Sequence, residues 1–192
     1  MTAVKNLCKN GIILEQGTVA SHGNVEEIVG RYLSGLDENS GTSINVVSSC
    51  QVLKLNRVST VTDNDDGIIR INKNFKICLE FQVLKTEVNK YHFNLFFTDG
   101  GENTHFVLSS DWQKLNTGSY SIDFIIPEGF LNNIFYSITI MAIQNRSKSV
   151  LTIENAMAIE PREPKRKGNW LGAVPGVIRP KFIKTTINKN NE

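Results

Sequence analysis

Between residues 45 and 160 the apolar positions recur with a period of two. Phe75, Ile77, Leu79, Phe81 and Val83 alternate with Lys76, Cys78, Glu80 and Gln82. Successive side chains of a strand point to opposite faces, so this run predicts a strand with one face in a core. Tyr91, Phe93, Leu95 and Phe97 follow the same rule, as do Tyr120, Ile122, Phe124 and Ile126, and then Tyr136, Ile138, Ile140 and Ala142. Weaker alternation predicts further strands at 51–61, 68–71, 104–109 and 150–159. The separators Asp65-Asp66-Gly67, Asp99-Gly100-Gly101, Asn116-Thr117-Gly118 and Pro127-Glu128-Gly129 are turn chemistry. About eight strands joined by short turns, with no helices between them, predict an all-β fold: an antiparallel β-sandwich on the immunoglobulin plan. The Cys…Trp…Cys spacing of a true immunoglobulin domain is absent.

Residues 1–36 have another rhythm, a helix-hairpin-helix. A short helix over 3–9 stops at Asn10-Gly11, and 11–19 reads as a hairpin turning at Gln16-Gly17. Asn24 can cap a helix in which Val25, Ile28, Val29, Tyr32 and Leu33 form one apolar stripe at i, i+3, i+4, i+7, i+8. A piece this small cannot bury that stripe alone, so it reads as the end of a larger domain. Residues 37–44 are polar and carry Gly and Ser, the composition of a linker. Residues 45–160 form the sandwich. Residues 161–192 have no sustained period and read as an extended tail, docking through Trp170, Leu171, Val174, Val177, Ile178, Phe182 and Ile183.

Charge separates the tail from the body. The chain of 192 residues carries +2 in total, but from Arg162 to Lys189 eight basic residues face the single acid Glu163, a balance of +7 that leaves −5 for the rest. A hydrophobic fraction of 40% with 21% charged residues suits a domain with a real core. No apolar run reaches the roughly 18 residues of a membrane helix, and Lys5, Asn6, Lys9 and Asn10 break the N-terminus as a signal peptide, which predicts a cytosolic protein. Cys8, Cys50 and Cys78 are odd in number and form no CxxC pair, so they are expected as reduced, mostly buried thiols rather than a disulfide or zinc framework.

Motifs of catalysis are missing. No Gly-rich loop ends in Lys-Ser/Thr to cradle a nucleotide phosphate. Asp63-Asn64-Asp65-Asp66-Gly67 echoes the start of a calcium loop, but the twelfth position is Asn74 and the flanks are strands. His22, His92 and His105 fall at no metal-ligand spacing. Ser109-Ser110-Asp111 lacks the strained elbow that activates a serine. The expectation is a non-enzyme with no catalytic residue, no metal and no cofactor. Lys165-Arg166-Lys167 is unaccompanied by an RNA-binding aromatic motif, so the basic tail is read as solvated or self-docking, not as a nucleic-acid site.

The order of segments resembles the C-terminal part of the ATP-binding subunit of bacterial polysaccharide ABC transporters, the Wzt-type exporters of O-antigen. The residues that carry the resemblance are Val4-Lys5-Asn6-Leu7-Cys8, Gly11-Ile12-Ile13-Leu14-Glu15-Gln16-Gly17, Gly23-Asn24-Val25-Glu26-Glu27-Ile28-Val29 and Tyr32-Leu33, which look like the end of the nucleotide-binding domain. The tail from Gly168-Asn169-Trp170-Leu171-Gly172 to Arg179-Pro180-Lys181 looks like endings seen there. Walker, signature and switch-histidine motifs are absent, and Lys184 stands where such tails often carry an aromatic. The resemblance implies a sandwich that binds the exported glycan at its finished non-reducing end, on a transporter at the inner face of the plasma membrane, with a membrane subunit as partner and a second copy as dimer mate through strand or tail exchange.

A glycan offers hydroxyls and flat C–H faces, so its site needs polar side chains beside a ring. If Phe75, Phe81, Phe93 and Phe97 face the core, then Glu80, Gln82, His92, Asn94 and Phe96 face away from it, on strands expected to be neighbours. Phe96 is either part of a sugar platform or covered by a loop, the tail or a second subunit. Trp112, in a polar loop after a strand, is the other candidate ring, or else a plug at the end of the sandwich. A structural dimerisation or regulatory domain that reads no sugar remains the alternative.

Overall fold

The computed structural model describes residues 4, 7–34, 43–44, 48–64, 66–85, 89–99, 103–146, 148–164 and 174–180. Strands β1 (Asn10–Glu15) and β2 (Thr18–Asn24) form the expected hairpin. Its turn places Gln16 and Gly17 in the left-handed region, with φ of 47° and 81°. Helix α1 (Val25–Ser34) follows directly, and Val25, Ile28 and Val29 are buried. The expected stripe is narrower than its spacing implied, because Tyr32 is 62% exposed. Of the first predicted helix, Val4 and Leu7 are helical and the Cys8 N–H donates to Val4 O at 2.9 Å. Cys8 is exposed, contrary to the expectation of mostly buried thiols, whereas Cys50 and Cys78 are half-buried and free.

The remaining strands, β3 (Ser43–Ile44), β4 (Ser48–Ser49), β5 (Leu53–Thr62), β6 (Phe75–Val83), β7 (Asn89–Thr98), β8 (Thr104–Ser109), β9 (Gln113–Leu115), β10 (Gly118–Ile126), β11 (Tyr136–Gln144) and β12 (Lys148–Ile159), form two five-stranded antiparallel sheets. One runs β10-β6-β5-β3 with β4 also on β5, the other β12-β11-β7-β8 with β9 also on β7. Consecutive strands β6 and β7 lie in opposite sheets, and so do β9 and β10, and β10 and β11. These crossings give the immunoglobulin-like arrangement. The expected strand at 68–71 is not one. Its buried Ile69 and Ile71 bracket a single parallel bridge from Arg70 to Arg162, so the segment is tied to the chain after β12 instead of to a sheet.

Alternation fixes the core as predicted. Ile77, Leu79, Phe81 and Val83 of β6 and Tyr91, Phe93, Leu95 and Phe97 of β7 are all buried. The Phe81 and Phe93 rings meet across the sheets at 4.6 Å, and Phe97 stacks on Phe106 at 4.4 Å.

One corner of the sandwich is closed by polar groups. At the start of β11 the Tyr136 hydroxyl accepts from the Asn132 N–H at 2.8 Å and donates to Val177 O at 2.5 Å. A tyrosine that turns back to the backbone at this corner is a hallmark of immunoglobulin-like sandwiches. Asn132 extends the clasp, its side-chain amide donating to Val174 O at 2.8 Å and Gly176 O at 2.6 Å. The Arg179 N–H donates to Phe130 O, Leu131 bridges to Ile178, and the Arg179 guanidinium pairs with Glu163 at 3.1 Å. The tail at 174–180 thus docks on its own sandwich through backbone carbonyls more than through the apolar side chains expected to do so; Ile178 stays 37% exposed. Trp170, Leu171, Phe182 and Ile183 lie outside the described residues. Burial pushes the Tyr136 phenol up to about 12.

Candidate functional site

The predicted site residues fall on two separate surfaces. Glu80 and Gln82 point outward from β6, while His92, Asn94 and Phe96 point outward from β7, and these strands belong to opposite sheets. The expectation that they neighbour one another is corrected: the chain crosses the sandwich between them, which alternation along a strand cannot reveal.

On the β6 face the charges are matched within the sheet. Glu80 lies 3.9 Å from Arg57, and Lys76 donates to Asp123 at 3.1 Å. The Lys76 ammonium, with help from the Cys78 S–H, holds the Asp123 carboxyl below its ordinary range. Burial, reinforced by that carboxylate, pushes the Cys78 thiol up to about 11. Cross-strand opposite charges of this kind support the pairing of the strands.

The β7 face gathers the other candidates with residues the sequence did not single out. Cross-strand pairing sets Phe96 between Thr139 of β11 and Val107 of β8, Asn94 between Met141 and Ser109, and His92 beside Ile143. The Ser109 hydroxyl donates to Asn94 Oδ1 at 2.8 Å, which fixes the amide plane, and the Asn94 N–H donors meet no acceptor among the described residues. These face residues carry no carboxylate.

Trp112 joins this face. Its indole stacks on the His92 imidazole at 4.7 Å and 17°. It is half-buried. The loop before it is pinned to β7: the Ser110 N–H donates to Phe93 O at 2.9 Å, and the Ser110 hydroxyl accepts from the Phe93 N–H at 2.9 Å. His92 Nδ1 is buried without a hydrogen-bond partner among the described residues.

Arg146 borders the indole, its guanidinium carbon 6.0 Å from the ring centroid, within reach of a cation–π attraction. It is delivered by the turn between β11 and β12, where Asn145 and Arg146 hold φ of 50° and 64°. Left-handed backbone costs a non-glycine residue about 1 kcal/mol or more. Asn145 offsets that cost by joining the turn to β7, with its N–H on Lys90 O at 2.9 Å, its Oδ1 on the Lys90 N–H at 3.0 Å and its Nδ2 on Asn89 Oδ1 at 2.9 Å. The placement of Arg146 depends on a turn geometry that no period encodes.

Aromatic rings, an oriented amide, hydroxyls and an imidazole on one fixed sheet can take up a hydroxylated ligand with C–H faces. Among the described residues no group of three or more His, Cys, Asp or Glu comes together to hold a metal. No helix among them is long and apolar enough to cross a membrane.

No protein-family model matches the chain, and no curated protein matches it either. Among solved structures, the fold is similar to that in the crystal structure of the C-terminal domain of Wzt, with a TM-score of 0.51 and 12% sequence identity over 76% of this chain and 89% of that one.

Proposed function

We propose that the protein is a non-catalytic carbohydrate-binding module that recognises a bacterial surface polysaccharide at its finished non-reducing end and couples it to export by an ABC transporter. The observation that carries this reading is the outer face of β7, where the stacked Trp112 and His92 sit beside Phe96 and the Asn94–Ser109 pair on a Wzt-like sandwich. The exposed apolar residues of the N-terminal piece support an attachment to a larger transporter subunit: Leu7 is 84% exposed, Leu14 68% and Ile12 63%. Paired copies of that subunit and a membrane-embedded partner complete the assembly in this reading.

In this reading Glu80 and Gln82, on the opposite sheet, lie apart from the β7 surface. Removing a ring at the centre of such a surface is expected to weaken binding about tenfold or more. The test is titration of the chain with polysaccharide released from the source cells, and with an unrelated polysaccharide, followed by heat and by backbone amide shifts. Shifts on β7, on β11 and at Trp112, lost in Trp112→Ala, are the expected result. A chain that gives no heat and no shifts with its own polysaccharide would overturn the proposal.

A further inference from the structure

We infer a second subsite, in the cleft between the edge strands β8 and β10, that takes the sugars preceding the terminal one on the same glycan chain. This inference rests on the glycan-binding reading and extends it around the side of the sandwich.

β8 ends one sheet and β10 ends the other, and a cleft of about 520 Å³ is lined by residues of both. That volume falls within the roughly 300–1,000 Å³ of small-molecule sites. Its walls combine what a sugar chain needs. Ser109, Asp111 and Gln113 come from the β8 side, and β10 contributes Ile125 as an apolar surface, while its Asp123 is held by Lys76. A carboxylate accepts hydrogen bonds through two oxygens, so Asp111 suits a pair of adjacent hydroxyls, while Gln113 both donates and accepts. Ile125 is 66% exposed, an apolar surface for a C–H face that the protein itself leaves open.

The 110–113 segment connects the subsites. Trp112 turns its indole to His92 on the outer face, whereas its neighbours Asp111 and Gln113 line the cleft. Ser110 anchors the segment to β7 through both its N–H and its hydroxyl, so both walls are fixed before a ligand arrives. Binding energy is then lost to ordering the ligand and not the loop. A glycan whose end rests on Trp112 therefore continues over the segment into the cleft.

The occupant is a neutral or sparingly charged, hydroxyl-rich chain. The Asp111 carboxylate in the wall disfavours a run of uronates, and the aromatic ring of the lining, Phe124, is buried, which leaves no exposed ring in the cleft for the large side chains of an extended peptide.

The experiment uses the whole chain and the polysaccharide of the source cells, hydrolysed and fractionated by size into fragments that keep the native end. Fragments of one or two sugars are expected to shift amides on β7, on β11 and at Trp112 only. Fragments of four or more should also shift Asp111, Gln113 and 122–125, and bind about tenfold more tightly. The double variant Asp111→Asn, Gln113→Ala, both at exposed positions, should return long fragments to the affinity of short ones and leave the short ones unchanged. If every fragment shifts the β7 face while affinity is flat with length and the cleft stays silent, the second subsite is overturned and the first stands. If no fragment binds at all, both fall together.

Discussion

Replacing Tyr136 by Phe removes one oxygen from a fully buried ring, and the structure specifies what that oxygen does. It accepts from the Asn132 N–H at 2.8 Å and donates to Val177 O at 2.5 Å, and Asn132 itself is only 3% exposed. The N–H would be left buried without an acceptor, at a cost of about 1–3 kcal/mol, and the bond to the tail would go at about 0.5–1.5 kcal/mol. Together these give about 2–4 kcal/mol, or a Tm lower by about 5–15 °C at the roughly 2–4 °C per kcal/mol of a chain this size. The phenol adds a signature in pH. Folded Tyr136 keeps its proton to about 12, against an ordinary value of 10.0. The folded state therefore binds more protons than the unfolded one between pH 10 and 12, and its stability, complete below pH 10, falls across that window. The fall amounts to about 2.7 kcal/mol at about 1.36 kcal/mol per pH unit. Tyr136→Phe should flatten that alkaline limb, leaving the share of Tyr91, whose phenol burial also raises. Thermal melts of both proteins from pH 7 to 11.5 decide the matter. A variant within about 1 °C of the parent, with the same alkaline slope, would show that the hydroxyl does not hold this corner.

The other predictions concern separate parts of the fold. A Cβ at Gly11 would lie 2.8 Å from Ile28 Cγ2, so Gly11→Ala should cost about 1–2 kcal/mol in denaturant unfolding of the N-terminal piece; unchanged stability there refutes the close approach of α1 to β1. With its thiol near 11, Cys78 is about one part in a thousand thiolate at pH 8, so peptide mapping after alkylation should find exposed Cys8 modified well before it. Equal rates would contradict this placement. Asp66, held down to about 2 chiefly by its hydrogen bonds to Arg70, contributes stability that is present above its ordinary 3.8 and lost as pH falls through about 2. Because the pair is exposed the effect is small, and Asp66→Asn should reduce the acid slope of a Tm-versus-pH curve without moving the plateau near pH 7 by more than about a degree.

Strands with a buried face announced themselves. Period-two runs at β6, β7, β10 and β11 reflect burial, which is local to each strand, and so the core was legible. Sheet membership was not, since no property of Gln82 or His92 states whether its strand pairs with the next or crosses the sandwich. That is why Glu80 and Gln82 were grouped with Asn94. Trp112 and His92 were legible as residue types, but their stacking depends on a loop pinned by Ser110, and Arg146 depends on two left-handed residues in a turn. The segment at 68–71 had strand-like residues because Ile69 and Ile71 are buried; burial alone does not supply a ladder partner.

The clasp at Tyr136 also orders events in time. Its acceptor Val177 lies 41 residues further along the chain. At about 5–20 residues per second, synthesis needs some ~2–8 s to pass from one to the other. Once Ile159 has been made every strand of the sandwich exists, yet until the chain reaches Val177 the corner has no lid, and the Asn132 amide and the Tyr136 hydroxyl lack the carbonyls that complete them. A nascent chain halted before Val174 would carry all its strands and still be recognisable as unfinished, so the tail serves as the last stitch by which a complete molecule differs from a truncated one.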